Sequence, residues 1–231
     1  MFLGLNREQD MRRSLLVRLW LFAVLISWDV NAELVIEIIG GTEAALPIAV
    51  VPFGSEGVHA PENVSAIIRD DLARSGRFDP VAEQDLISSP HQKSEVNFTD
   101  WRLLRTEGLL IGNVSSDDGQ TYQVQFELFD VYKAQQLVGM RYEVLASSLR
   151  RVAHKISDQI YLALTGEKGV FSTRLAFVSL INNKDGSQRY SLQVSDSDGA
   201  NPRAVLQSKQ PILSPSWSPD GERLSYVSFE N

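Results

Sequence analysis

Few residues in this chain have the chemistry of an active site. There are three histidines, His59, His91 and His154, and no cysteine. Without cysteine there is no disulfide, no thiolate nucleophile and no sulfur ligand for zinc. His59 and His91 fall in loop-like stretches. His154 lies in a helix-periodic stretch, one residue from its core-facing stripe, and reads as a half-exposed helix residue rather than a general base. "SDSDGAN" sets Asp196 and Asp198 two apart, as at the start of a calcium loop. The glycine follows too early, however, and no late glutamate completes such a site, so a β-turn is expected. No Gly-x-Ser-x-Gly elbow, His-Glu-x-x-His pair, phosphate-binding Gly-Lys loop or Gly-x-Gly-x-x-Gly turn occurs. The expectation is no catalytic, cofactor-binding or metal-binding residue, and a function other than catalysis.

Composition narrows the alternatives. The 231 residues are 43% hydrophobic and 22% charged, with a formal net charge of -7 and a pI near 5.0. That supports one or two domains with real cores. Nucleic-acid binders usually present a basic face, and no long basic run appears here.

Residues 1–32 read as a targeting segment rather than fold. Arg12, Arg13 and Arg18 precede an apolar core at residues 19–28, and small Ala32 follows. That is the order of a secretory signal, with cleavage expected after Ala32. Its apolar core is about half the roughly 20 residues a membrane helix needs; the alternative is an uncleaved N-terminal anchor, and after cleavage no direct membrane insertion is expected. Met11, just before the Arg pair, is an alternative start. Export without disulfides suits a bacterial periplasm.

From residue 33 to 169, strand-like and helix-like runs alternate. "LPIAVVPF" (46–53) is apolar and β-branched. "APENVSAIIRDDLARSG" reads as a helix opened by Pro61, with Val64, Ile67, Ile68 and Leu72 on one face and Gly76 at its end. A short strand at 78–81 and a brief helix capped by Thr99 or Asp100 follow, then a strand at 109–114. In "TYQVQFELFD", Tyr122, Val124, Phe126 and Leu128 alternate with polar residues, giving one buried and one wet face. A second long helix spans 149–165, with Val152, Ile156, Ile160 and Leu164 inward and Gly166 closing it. The expected fold is α/β, a mixed sheet with its two main helices mostly on one face.

After residue 170 helix periodicity stops. Short strands recur with Asp185-Gly186, Asp198-Gly199 and Asp220-Gly221 between them, which are hairpin signals. With the Trp-Ser-Pro-Asp-Gly box at 217–221 they suggest propeller blades. A blade takes about 40–45 residues and a ring about four to eight blades, so residues 170–231 are expected to hold the first blade and the start of a second. The sequence is therefore expected to be a fragment of a longer propeller protein.

In their order, "PIAVVPF" (47–53), "DLARSGRFDP" (71–80), "LLIGNV" (109–114), "LTGEKGVFSTRLAFV" (164–178), "LQVSDSDGANPRAV" (192–205) and "LSPSWSPDGERLSYVSFE" (213–230) resemble the TolB family of the Tol–Pal system. The family's domain order matches as well: signal peptide 1–32, α/β domain 33–169, and an incomplete β-propeller from 170.

That resemblance implies a periplasmic scaffold supporting outer-membrane integrity and invagination at cell division, and used in protein import such as colicin uptake. It implies contact between the mature N-terminus and the C-terminal domain of TolA, through Glu33, Leu34, Val35, Ile36, Glu37, Ile38 and Ile39. The same β-prone run also reads as a permanent edge strand of the α/β domain. Pal is expected to dock on the propeller, and with most of the propeller missing that binding is expected to be lost. The resemblance implies no cofactor and no nucleic acid. The alternative is an accessory propeller of a prolyl-oligopeptidase-like peptidase, since similar boxes precede such catalytic domains.

Overall fold

A computed structural model of the chain describes residues 44–230. The expected signal segment, the alternative start at Met11 and the expected TolA contact at 33–39 lie outside these residues.

The first architectural unit is a six-stranded mixed sheet. Strand β1 (Leu46–Val50) lies in parallel between β3 (Phe78–Pro80) and β4 (Gly108–Ser116). β5 (Thr121–Asp130) and β6 (Gln135–Leu145) extend it in antiparallel fashion. Pro52 and Phe53 interrupt the expected 46–53 strand. The chain then resumes pairing as β2 (Gly54–Gly57), alongside the far end of β4. β2 carries no apolar periodicity, and its partner strand alone defines it.

Two layers cover the sheet. Helices α1 (Val64–Arg74) and α3 (Leu149–Thr165) pack on one face. Ile68, Leu72, Val152, Ile156 and Ile160 there meet Leu110, Val124, Phe126 and Leu128 of the strands. On the other face, the short α2 (Phe98–Leu103) brings Trp101 against Leu109, Ile111 and Phe129. β4 is therefore buried on both sides, which is why "LLI" is a continuous apolar run rather than an alternating one.

Helix ends follow local chemistry. α1 starts after Asn63, whose side-chain oxygen accepts from the Ala66 amide at 3.1 Å, and not at Pro61. α2 is capped by Asn97, which accepts from the Thr99 amide at 3.2 Å, and not by Thr99 or Asp100. In both places an asparagine two or three residues from the expected position caps the free amides. α3 has the expected bounds and ends in left-handed Gly166.

The second architectural unit is β7 (Arg174–Asn182), β8 (Gln188–Asp196) and β9 (Arg203–Ser208) in an antiparallel meander. A hairpin of β10 (Ile212–Trp217) and β11 (Leu224–Ser228) follows as a separate two-stranded sheet. The three Asp-Gly pairs lie at the three turns, each glycine with positive φ.

Candidate functional site

The polar residues of greatest interest sit where α3 meets the strand unit. The first tie is the stretch after the helix. Asp158 of α3 accepts from the Phe171 amide at 2.8 Å and from the Ser172 hydroxyl at 2.5 Å. Gly169 passes so close that a Cβ there would lie 2.4 Å from Asp158 Oδ1 and 2.8 Å from its Cα. Phe171 is buried and meets Tyr161 edge-on at 5.7 Å. The Ser197 hydroxyl donates to the Phe171 carbonyl at 2.5 Å. Arg174 donates to the Gly221 carbonyl at 2.6 Å and stands 4.6 Å over the Trp217 ring. The junction motif Leu-Thr-Gly-x-x-Gly-x-Phe-x-Thr-Arg thus fixes the path from helix to blade.

The second tie is a buried polar cluster. His154 is not the half-exposed residue that the sequence suggested; it is 2% exposed. Its Nδ1 lies 2.7 Å from Asp71 Oδ2 on α1, and the Ser157 hydroxyl donates to the same oxygen at 2.8 Å. Arg74 pairs with the other Asp71 oxygen. Asp71 thus accepts from three sides and satisfies its buried charge through them. The helix stripe alone placed His154 outside the core; Asp71, 83 residues away, supplies the partner that makes its burial tolerable.

His154 Nε2 points to the strand unit. It lies 3.8 Å from Asp198 Oδ2 and has no hydrogen-bond partner. Arg150 pairs with Asp198, lies 3.5 Å from Asp196 and 3.8 Å from Glu62. Burial works against ionisation of Asp198, but the Ala200 amide, Arg150 and His154 outweigh it and hold that carboxyl below its ordinary range.

This arrangement does little chemistry on a substrate. Aspartate, histidine and serine are all present, yet the Ser157 hydroxyl donates to Asp71 and to the Ala153 carbonyl, not to His154. A nucleophile needs the base within reach, and here the free histidine nitrogen faces Asp198 instead. Ser157 is also fully buried. His154, Asp196 and Asp198 bring three ligand atoms within 4.8 Å of one another. The Arg150 guanidinium already stands against both carboxylates and supplies the positive charge that a metal would bring. The expected β-turn at Asp196–Asp198 is present, with the Gly199 amide bonded to the Asp196 carbonyl at 3.0 Å.

Outside the buried cluster is an open cleft of about 760 Å³, lined among others by Glu62, Arg151, Arg174, Asp196 and Arg203. Sequence reading missed the cluster. Its one local trace was His154, Ser157 and Asp158 at three- and four-residue spacing beside the apolar stripe of α3. Among the described residues no helix is long and apolar enough to cross a membrane.

Comparison with known proteins agrees with this layout. Residues 34–137 match the TolB amino-terminal domain, and residues 161–231 match the TolB beta propeller domain. The Tol-Pal system protein TolB of Nitrosococcus oceani is 59% identical over 202 residues, covering 87% of this chain and 46% of that protein. The Methylobacillus flagellatus protein of the same name is 49% identical over 202 residues, with the same coverage. The crystal structure of TolB from Acinetobacter baumannii superposes with a TM-score of 0.71 at 37% identity, covering 81% of this chain and 45% of that one. The chain spans about half the length of the curated relatives it matches. With both domain families matched in order and the fold shared with a solved TolB, the chain belongs to the TolB family.

Proposed function

We propose that this chain is a non-catalytic interaction component of the Tol–Pal envelope system, working in the periplasm after cleavage behind Ala32. The observation that supports this best is the domain order, an amino-terminal α/β unit joined to propeller strands, shared with relatives named as Tol–Pal proteins. Among the described residues, the buried His154 cluster has its Ser157 hydroxyl bonded to Asp71 rather than to the histidine, which fits a role in holding parts together. In this reading the unit boundary lies between residues 169 and 170. The mature N-terminal residues 33–39 contact the TolA C-terminal domain by adding a strand to it, with main-chain hydrogen bonds supplying affinity. Pal docks on the propeller. The role of the assembly is outer-membrane integrity and constriction at division, with colicin import exploiting the same contacts.

Calorimetric titration tests the reading. The TolA C-terminal domain is titrated into residues 33–231 and into a version that begins at Thr42. Binding by the longer version alone is expected. Equal binding by both removes the assignment of 33–39, and binding by neither removes TolA as a partner of this chain. N-terminal sequencing of the exported protein checks the cleavage site, and a chain still carrying residue 20 contradicts it.

A further inference from the structure

We propose that His154 is a proton-dependent latch that ties the Asp196–Gly199 turn of the blade to the two-helix layer, holding it more tightly when the imidazole is charged. The inference rests on the buried cluster and is independent of the Tol–Pal partners assigned above.

Asp71 accepts from Arg74 on one oxygen and from Ser157 on the other, so it acts as a carboxylate and the Nδ1 position of His154 carries a proton toward it. Only Nε2 is left to change. It is buried, unpartnered and 3.8 Å from Asp198 Oδ2. In the neutral ring a lone pair faces a carboxylate, and a buried acceptor has no donor, a costly state. In the charged ring an N–H faces the same oxygen, and a shift of under about 1 Å brings it to ordinary hydrogen-bond length.

Asp71 and Asp198 flank the ring, with Arg74 paired to the first and Arg150 to the second, while Glu62, Asp196, Arg151, Arg174 and Arg203 line the cleft outside. Asp71 and Arg74 approach from α1, Arg150 and Ser157 from α3 itself, Asp196 and Asp198 from the end of β8 and its turn, and Glu62 from the loop before α1. Asp198, held below its ordinary range, is the charged partner in both states of the ring. The extra hold is present while the imidazole is protonated and is lost when it is neutral. Arg150 stays paired with Asp198 throughout, so the turn loosens without detaching.

Backbone hydrogen exchange on the full chain tests this. The reporters are Gly199, whose amide bonds to the Asp196 carbonyl at 3.0 Å, and Ala200, whose amide bonds to Asp198 Oδ1 at 2.9 Å. Gly186, in the Asp-Gly turn between β7 and β8, is the control. After correction for intrinsic exchange, protection at Gly199 and Ala200 is expected to be about tenfold higher near pH 5.5 than near pH 8, on either side of the usual imidazole range, with Gly186 unchanged. His154→Gln abolishes the difference. Asp198→Asn also abolishes it, although the asparagine oxygen still accepts from Ala200 and the His154–Asp71 contact is untouched. In Asp198→Asn, ¹⁵N spectra still show His154 titrating. A wild-type chain with equal protection at both pH values, or a pH difference that survives either substitution, overturns the latch. If His154→Gln does not fold, Asp198→Asn decides alone.

Discussion

The α/β unit and the strand unit are built from similar apolar residues and bury them very differently. Around the six-stranded sheet, Ile48, Leu110, Val124, Phe126, Trp101 and Phe129 are all fully buried, because helices cover one face and α2 with its loops covers the other. In the blade strands, Leu192 and Ile212 are buried, while Leu175, Phe177, Leu180, Ile181, Val227 and Phe229 are exposed. Apolar content therefore does not set burial here; the number of covered faces does. A propeller blade buries its faces on its neighbours, in the manner of a stacked repeat. The α/β unit completes both layers by itself. The strand unit is instead held by its attachments to α3, namely the Asp158 clamp on residues 171–172 and the Arg150–Asp198 pair.

Large-to-small substitutions should break the comparison most visibly. Trp101→Ala removes a fully buried ring from the second core and is expected to cost about 3–5 kcal/mol. Phe177→Ala, on a partly exposed strand face, is expected to cost under about 1 kcal/mol. Urea denaturation of the two variants measures both, and equal losses would show that the blade face is as well covered as the sheet.

Two turn glycines make a finer contrast. Gly57 has φ +76°, and a Cβ there would lie 2.0 Å from the Ser116 carbonyl oxygen on β4. Gly199 has φ +84° with nothing within 4 Å. Gly57→Ala must shift backbone as well as hold a left-handed alanine, and is expected to cost roughly 2–4 kcal/mol. Gly199→Ala carries only the conformational term, about 1–2 kcal/mol. Thermal melts of both variants check the order.

The smallest effect concerns acid. The Asp118 carboxyl is held below its ordinary range by the amides of Thr121 and Gln120, with Ser116 adding a hydrogen bond. A carboxyl lowered in the folded state stabilises above its unfolded range, and that stabilisation is lost as pH falls through the folded one. Asp118→Asn keeps the side-chain acceptor and removes the charge. It is expected to lower stability slightly in the neutral region, where the charged carboxyl contributes, and so to flatten the acid limb of the stability–pH curve. A steeper acid limb in the variant contradicts this.

Much of the fold could be read from residue patterns, and the reasons for the rest are specific. α3 was legible to its bounds because its stripe runs unbroken from Val152 to Leu164 and Gly166 ends it. The Asp-Gly turns were legible because so few residues accept positive φ. β2 was not legible: "GSEG" has no strand pattern and becomes a strand only through β4. The starts of α1 and α2 were misplaced because Asn63 caps α1 two residues after the expected Pro61 and Asn97 caps α2 two to three residues before the expected Thr99 or Asp100. The candidate site was the least legible part. His154 leaves only the spacing of Ser157 and Asp158 as a trace within its own helix, and its meaning depends on Asp71 and Asp198, which the fold brings to opposite sides of one ring.

Native-state hydrogen exchange across the whole chain, at increasing low concentrations of denaturant, tests the central contrast most directly. Amides of β4 and β5 should exchange only through global unfolding, while those of β7 to β9 should exchange together through a smaller opening of lower free energy. Blade amides that exchange with the same free energy and the same denaturant dependence as β4 and β5 would show one cooperative unit, and would contradict the account of a self-sufficient α/β layer holding a less stable blade.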